Sequence, residues 1–186
     1  MFEYLSADLR RLTETRTLSA RVVIAGLLSQ GFQAIFVYRF FHWLMRKGIP
    51  GQPFRFFLER WIEITTGISI PVHCRIGKGL RIHHFGCIIF HPTAVLGENC
   101  TVYHQVTTGD RGGTGGAARI GDNVVIGAGA KIIGEITIGD DCIVGANAVV
   151  TTDMQPGMVA VGNPCTIHPR KIAPANIMSA AVGFHS

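Results

Sequence analysis

Four histidines in the middle of the chain, His83, His84, His91 and His104, are the side chains best suited to chemistry near neutral pH. A neutral imidazole can remove a hydroxyl proton as the oxygen attacks an acyl carbon. The same imidazoles are numerous enough to hold a zinc ion, so general base and metal ligand are both open readings of the residue types. Cys87, three residues after His84, could carry an acyl group only if something lowered its thiol pKa. Nothing nearby in sequence is arranged to do so, and packing is its expected role.

Positioning these residues falls to a repeat. Ile120, Ile126, Ile132, Ile138, Val144 and Val150 stand at six-residue intervals, and Gly121, Gly127, Gly139 and Gly145 follow four of them. Val124, Ala130, Ile136, Cys142 and Ala148 keep the same period four places on. Six fits neither an amphipathic helix nor an alternating strand, and predicts a hexapeptide β-helix whose short strands turn at glycine or polar corners. Upstream, Ile70, Ile76, Ile82 and Ile88 share one register, while Phe90, Leu96 and Val102 share another two residues later. The slip falls across His83, His84, Phe85 and Gly86, and irregular steps in regular structure often re-aim a side chain for use. Allowing about 18 residues per coil plus the slip, His84 and His104 occupy equivalent positions of successive coils, about 4.8 Å apart. A second interruption, Gly109 to Arg119, has five glycines in eleven residues and reads as an ejected loop without histidine.

The phrases "IGKGLRIHHFGCIIFHPTAVLGENCTVYHQVTTG" and "RIGDNVVIGAGAKIIGEITIGDDCIVGANAVVTTDMQPGMVAVGNP" carry a family resemblance over about Thr65 to Pro164. The chain resembles the serine acetyltransferase branch of the hexapeptide-repeat acyltransferases, and within it the exopolysaccharide-type O-acetyltransferases. The resemblance implies a left-handed parallel β-helix, assembly as a homotrimer, acetyl-CoA as acyl donor in grooves between coils, and no metal. It assigns the base to His84. It also implies donor contacts at Gly127, Ala128, Gly129, Ala130, Lys131 and Ala146, with Arg170 and Lys171 meeting the nucleotide phosphates.

Three departures from the family pattern bear on the acceptor. An Asp before the base is replaced by His83, the Asp of "TGIDI" by Ser69, and a second histidine after the glycine loop by the Ala117, Ala118 and Arg119 stretch. The resemblance gives the lost carboxylates two tasks, holding an ammonium and orienting the base. An ammonium without such a partner is costly to bind. The expected acceptor is therefore a neutral sugar hydroxyl of a surface or exopolysaccharide, with serine as the alternative. Ser69 and His83 are expected to face the acceptor, and His104 to support His84. A carbonic anhydrase-like metal trimer is a further alternative, although the histidine spacing does not resemble that family. A non-catalytic scaffold is the last.

Residues 1–64 read as a helical segment, 65–168 as the mainly β acyltransferase domain and 169–186 as a tail. The chain has 17 Lys and Arg against 12 Asp and Glu, a formal charge of +5, and the excess crowds the first third. No zinc knuckle, recognition helix or aromatic RNA platform accompanies it, so nucleic acid is not an expected partner. Arg39, His42 and Arg46 form a polar stripe on an otherwise apolar helix, which needs cover from sister helices or from peripheral contact with a membrane surface. The five cysteines show no C-x-x-C spacing and the start shows no signal-peptide pattern, so buried thiols and a cytoplasmic location are expected, with peripheral contact at the inner membrane surface also open.

Overall fold

The computed structural model describes residues 1–170 apart from 16, 18 and 114. Four helices come first: α1 (Phe2–Thr13), α2 (Ala20–Leu28), α3 (Gln30–Arg46) and α4 (Phe54–Thr66). Fifteen short strands follow: β1 (Ile68–Ser69), β2 (Arg75–Ile76), β3 (Arg81–His83), β4 (Ile88–Ile89), β5 (Val95–Leu96), β6 (Thr101–Tyr103), β7 (Thr107–Gly109) and β8 (Arg119–Ile120), then β9 (Val125–Ile126), β10 (Lys131–Ile133), β11 (Thr137–Ile138), β12 (Ile143–Val144), β13 (Val149–Val150), β14 (Met158–Val161) and β15 (Thr166–Pro169).

The strands stack into three sheets, β1-β4-β7-β10-β13, β11-β8-β5-β2 and β15-β14-β12-β9-β6-β3, which form the faces of a parallel β-helix. Among the described residues only β15 runs antiparallel. The six-residue aliphatics point inward, and Ile120, Ile126, Ile132, Ile138, Val144 and Val150 are all 3% exposed or less. Register shows where coils depart from regularity. Ile68 pairs with Ile88 and Arg81 with Thr101, 20 residues on, whereas Ile89 pairs with Thr107, 18 on. Val95 pairs with Arg119, 24 on, which puts the six extra residues in the glycine-rich loop.

Two corners turn through left-handed backbone. Gly79, Asn99, Asn123, Asp141 and Gly157 stack along one, and Gly67, Cys87, Gln105, Gly129 and Asn147 along another. Glycine, Asn and Asp tolerate this conformation best, and the sequence supplies them at most of these positions. Cys87 and Gln105 are the exceptions, and Cys87, at φ 54, is exposed in one chain, so the packing role expected for it is not met there. Cys74, Cys100 and Cys142 are the buried thiols, and burial pushes Cys74 up to about 12 and Cys100 to about 11.

Coils approach so closely at other corners that a methyl group does not fit. A Cβ on Gly77 would lie 2.5 Å from the carbonyl carbon of Gly97 in the next coil. Gly77→Ala is expected to cost about 1–3 kcal/mol, read as a lowered urea midpoint.

The helices pack against the first coils. Arg39 on α3 is buried, donating to Asp8 of α1 at 3.0 and 3.2 Å and to the Ile76 and Gly77 carbonyls at 2.6 Å. His42 Nδ1 lies 2.8 Å from the Val72 carbonyl. The polar stripe on α3 is thus turned largely toward the protein, because strand-end carbonyls of the first coil need donors. Arg16 of the basic first third lies outside the described residues. No single helix is long and apolar enough to cross a membrane, although α2 and α3 pass that test together across a 92° bend.

Candidate active site

One corner of the β-helix gathers most of the residues singled out by sequence. It joins the sheet of β3, β6, β9 and β12 to the sheet of β4, β7, β10 and β13. After His83 closes β3, the chain makes two extra steps, His84 and Phe85, before resuming the coil at Gly86 and Cys87. His84 has φ 67 and Gly86 φ 106, so both occupy left-handed backbone. A histidine held there stores about 1–3 kcal/mol of strain, and its imidazole is exposed on the corner.

The stacking of coils completes the cluster. The His84 ring meets the His104 ring of the next coil edge-on, with centroids 5.9 Å apart. His83 lies 4.7 Å from His84 and stacks on Tyr103 at 5.0 Å with planes 9° apart. His104 Nδ1 is buried and has no hydrogen-bond partner among the described residues. Tyr103 went unnoticed in the sequence, although its position next to His104, one coil from His83, was there to be counted.

Burial, then the Arg81 guanidinium and then His84, hold the His83 pKa below its ordinary value. A base in that state stays neutral at pH 7, available to accept a hydrogen bond. His83 therefore contributes stability that is present above its unfolded pKa of about 6.5 and is lost as pH falls from there toward the depressed folded value. An NMR titration of His83 is expected to show a midpoint below 6.5, moving upward in Arg81→Ala.

Ser69 is where the sequence most needed correction. Its hydroxyl donates to Glu63 Oε1 on α4 at 2.5 Å, and Glu63 in turn pairs with Arg60 at 2.5 Å. Gly67 ends α4 in the left-handed conformation, its N–H bonded to the Glu63 carbonyl at 2.9 Å, and that reversal carries β1 back past the helix end. A carboxylate thus stands at Ser69 after all, delivered by a helix residue. The signal was the Gly67 cap four residues after Glu63.

The donor-binding candidates divide between two corners. Gly127 to Gly129 and Gly145 to Asn147 lie on the histidine corner, one and two coils beyond His104: Gly129 N–H bonds the His104 carbonyl and Asn147 N–H the Ala128 carbonyl. Ala128 and Ala146 leave this edge free of bulk, Ala130 is buried inside the coil, and Lys131 Nζ donates to the Gln105 carbonyl at 2.6 Å and Thr107 Oγ1 at 3.1 Å. Arg170 instead bonds the Asp141 carbonyl at 3.0 Å on the other left-handed corner, so one chain does not bring it to the glycine track. Its Nε and Nη2 are buried without partners among the described residues, as suits an arginine awaiting an anion. Lys171, like the rest of 171–186, lies outside the described residues. Ala117 and Ala118 are buried and Arg119 exposed. His91 bonds Thr93 Oγ1 at 3.0 Å, away from the cluster, and among the described residues no group of three or more His, Cys, Asp or Glu is placed to hold a metal ion.

Residues 117–152 match the bacterial transferase hexapeptide (six repeats) family. The chain is 38% identical over 144 residues to a serine acetyltransferase of Helicobacter pylori, covering 74% of this chain and 80% of that one. It is similar to the structure of soybean serine acetyltransferase complexed with serine, with TM-score 0.79, 36% identity, and 89% and 68% of the two chains covered. The structure of serine acetyltransferase in complex with coenzyme A from Brucella abortus gives TM-score 0.79 at 28% identity, covering 92% and 69%. These similarities overturn the expected sugar acceptor and give no support to the exopolysaccharide-type grouping. The physical ground for that expectation, a missing carboxylate, is removed at Ser69 by Glu63. With its coils, its histidine corner and these likenesses together, the chain belongs to the serine acetyltransferase family, as an acyltransferase that uses acetyl-CoA.

Proposed function

We propose that the chain is a serine O-acetyltransferase, forming O-acetyl-L-serine by direct attack of the serine hydroxyl on acetyl-CoA. The observation that carries this reading is the single edge on which His84, His104 and the Gly127–Gly129 and Gly145–Asn147 steps are stacked. A pantetheine arm laid along the small residues would bring its thioester down the edge toward the two imidazoles. His84 is the base. It takes the serine hydroxyl proton as that oxygen bonds the acetyl carbon, and returns it to the sulfur when the carbon–sulfur bond breaks. Backbone N–H groups at the corner stabilise the oxyanion, and His104, with a buried ring nitrogen unpartnered among the described residues, supports His84 or contacts the acceptor. Ser69 and neutral His83 face the acceptor.

His84 is exposed in one chain, and a base working in water loses much of the advantage of a fixed environment. Cover from a neighbouring copy in a homotrimer supplies it, and the cytoplasm, where acetyl-CoA is made available, is the matching location. Purified protein given acetyl-CoA is expected to release free CoA thiol with L-serine and not with neutral sugars. Equal rates with and without serine would reject this acceptor.

A further inference from the structure

We propose that Glu63, acting through Ser69, is the carboxylate that positions His84 and steadies its charged form during transfer; this rests on the reading of His84 as base. The helix end that carries Glu63 lies at the foot of the histidine edge. Gly67 sits directly beneath the corner, so close that a Cβ there would be 3.0 Å from Gly86 Cα and from Cys87 N. Ile88 N–H bonds the Gly67 carbonyl at 3.0 Å, and Phe90 N–H the Ser69 carbonyl at 3.0 Å, which fixes Ser69 one coil below the strand that leaves the corner. Ile68 points into the core, so Ser69 points outward.

A histidine that gains a proton in the reaction needs an anion in reach, or the imidazolium is left among cations. On the coils around it stand Arg81 and His83 of β3, His104 beside β6 and Lys131 of β10, and the carboxylate of Glu14, just after α1, is engaged by Arg81 at 2.9 Å. No hydrogen bond joins a carboxylate to His83, His84 or His104 among the described residues. From α4 come Arg55, Glu59, Arg60 and Glu63, with Arg55 on Glu59 at 3.7 Å and Arg60 on Glu63. Of these, Glu63 is the one tied to the β-helix, through Ser69 Oγ at 2.5 Å. The hydroxyl spends its only proton on Glu63, which leaves its lone pairs free to accept an imidazole N–H. No hydrogen bond joins Ser69 to His84 in the resting chain. Once the His84 ring turns an N–H to the Ser69 hydroxyl, orientation passes from carboxylate to hydroxyl to ring, and neither Glu63 nor Ser69 exchanges a proton in the cycle. Partners one step removed from a reacting histidine are commonly worth about 10–100-fold in activity.

The test uses the full chain with acetyl-CoA and L-serine, comparing wild type, Glu63→Gln, Ser69→Ala and the double variant Glu63→Gln/Ser69→Asp. Glu63→Gln and Ser69→Ala are each expected to lower kcat about 10–100-fold, with KM for serine little changed in Glu63→Gln. Ser69→Asp, which returns a carboxylate to the strand itself, is expected to restore most of kcat in the Glu63→Gln background, a rescue that a merely structural role would not give. The slow hydrolysis of acetyl-CoA without serine, which needs the base and not the amino acid, should fall with kcat, so a wrong acceptor and a wrong role for Glu63 are told apart. Unchanged kcat and hydrolysis in Glu63→Gln, or a loss confined to KM for serine, would overturn the proposal, as would a double variant no better than Glu63→Gln alone.

Discussion

His84→Asn is expected to lower kcat by about 10²–10⁴-fold, the usual worth of a positioned base. Asparagine is the informative replacement because residue 84 sits at φ 67, which Asn adopts with less strain than Ala. The backbone of the extra step survives and only the imidazole is lost. KM for acetyl-CoA should move little, since the glycine track lies one and two coils further along the edge. Steady-state rates of CoA release, with the unfolding midpoint as control, check both statements. A variant that keeps wild-type kcat would remove His84 from the chemistry and leave His104 as the candidate.

The largest expected effect on stability lies at the other end of β3, at Asp8. Its carboxylate is fully buried, takes two hydrogen bonds from Arg39 and accepts the Leu80 N–H at 2.9 Å. Burial pushes the Asp8 carboxyl above its ordinary pKa, while Arg39 and then the Leu80 N–H pull the other way. Removing one partner of such a pair strands the other charge in a dry site, at a cost of about 3–5 kcal/mol, so Asp8→Ala should lose that much in urea denaturation. Asp8→Leu/Arg39→Met removes both charges, yet it also deprives the Ile76 and Gly77 carbonyls of their donor. It should recover part of the loss and stop short of wild type. A double variant as damaged as Asp8→Ala would mean that those carbonyl contacts, more than the ion pair, fasten the helices to the first coil.

Much of the β-helix was legible because its cause is local. Each coil repeats the same inward aliphatics, so counting sixes locates the strands, the slip at His83–Gly86 and the loop at Gly109–Arg119. The meeting of His84 with His104 followed from the same count. What the count could not reach were contacts made by residues with no period. Glu63 meets Ser69 only because Gly67 reverses the chain between them. Arg39 read only as one member of a polar stripe, and it is buried because Asp8, 31 residues away, and two strand-end carbonyls close around it. A wrong acceptor followed from the first omission: with Glu63 unseen, Ser69 looked like an absence.

Strand β15 bears on how the solenoid stops. A parallel stack has no intrinsic length, and its last strand offers a row of open N–H and C=O groups on which another chain could add. Here the chain doubles back antiparallel, pairing Thr166 with Val161 and Pro169 with Met158, so the outermost strand of that sheet runs against the direction of the coils and ends in a residue with no N–H to donate. Among the described residues this last strand serves as a terminator: a copy approaching in coil register meets a reversed edge in place of another coil.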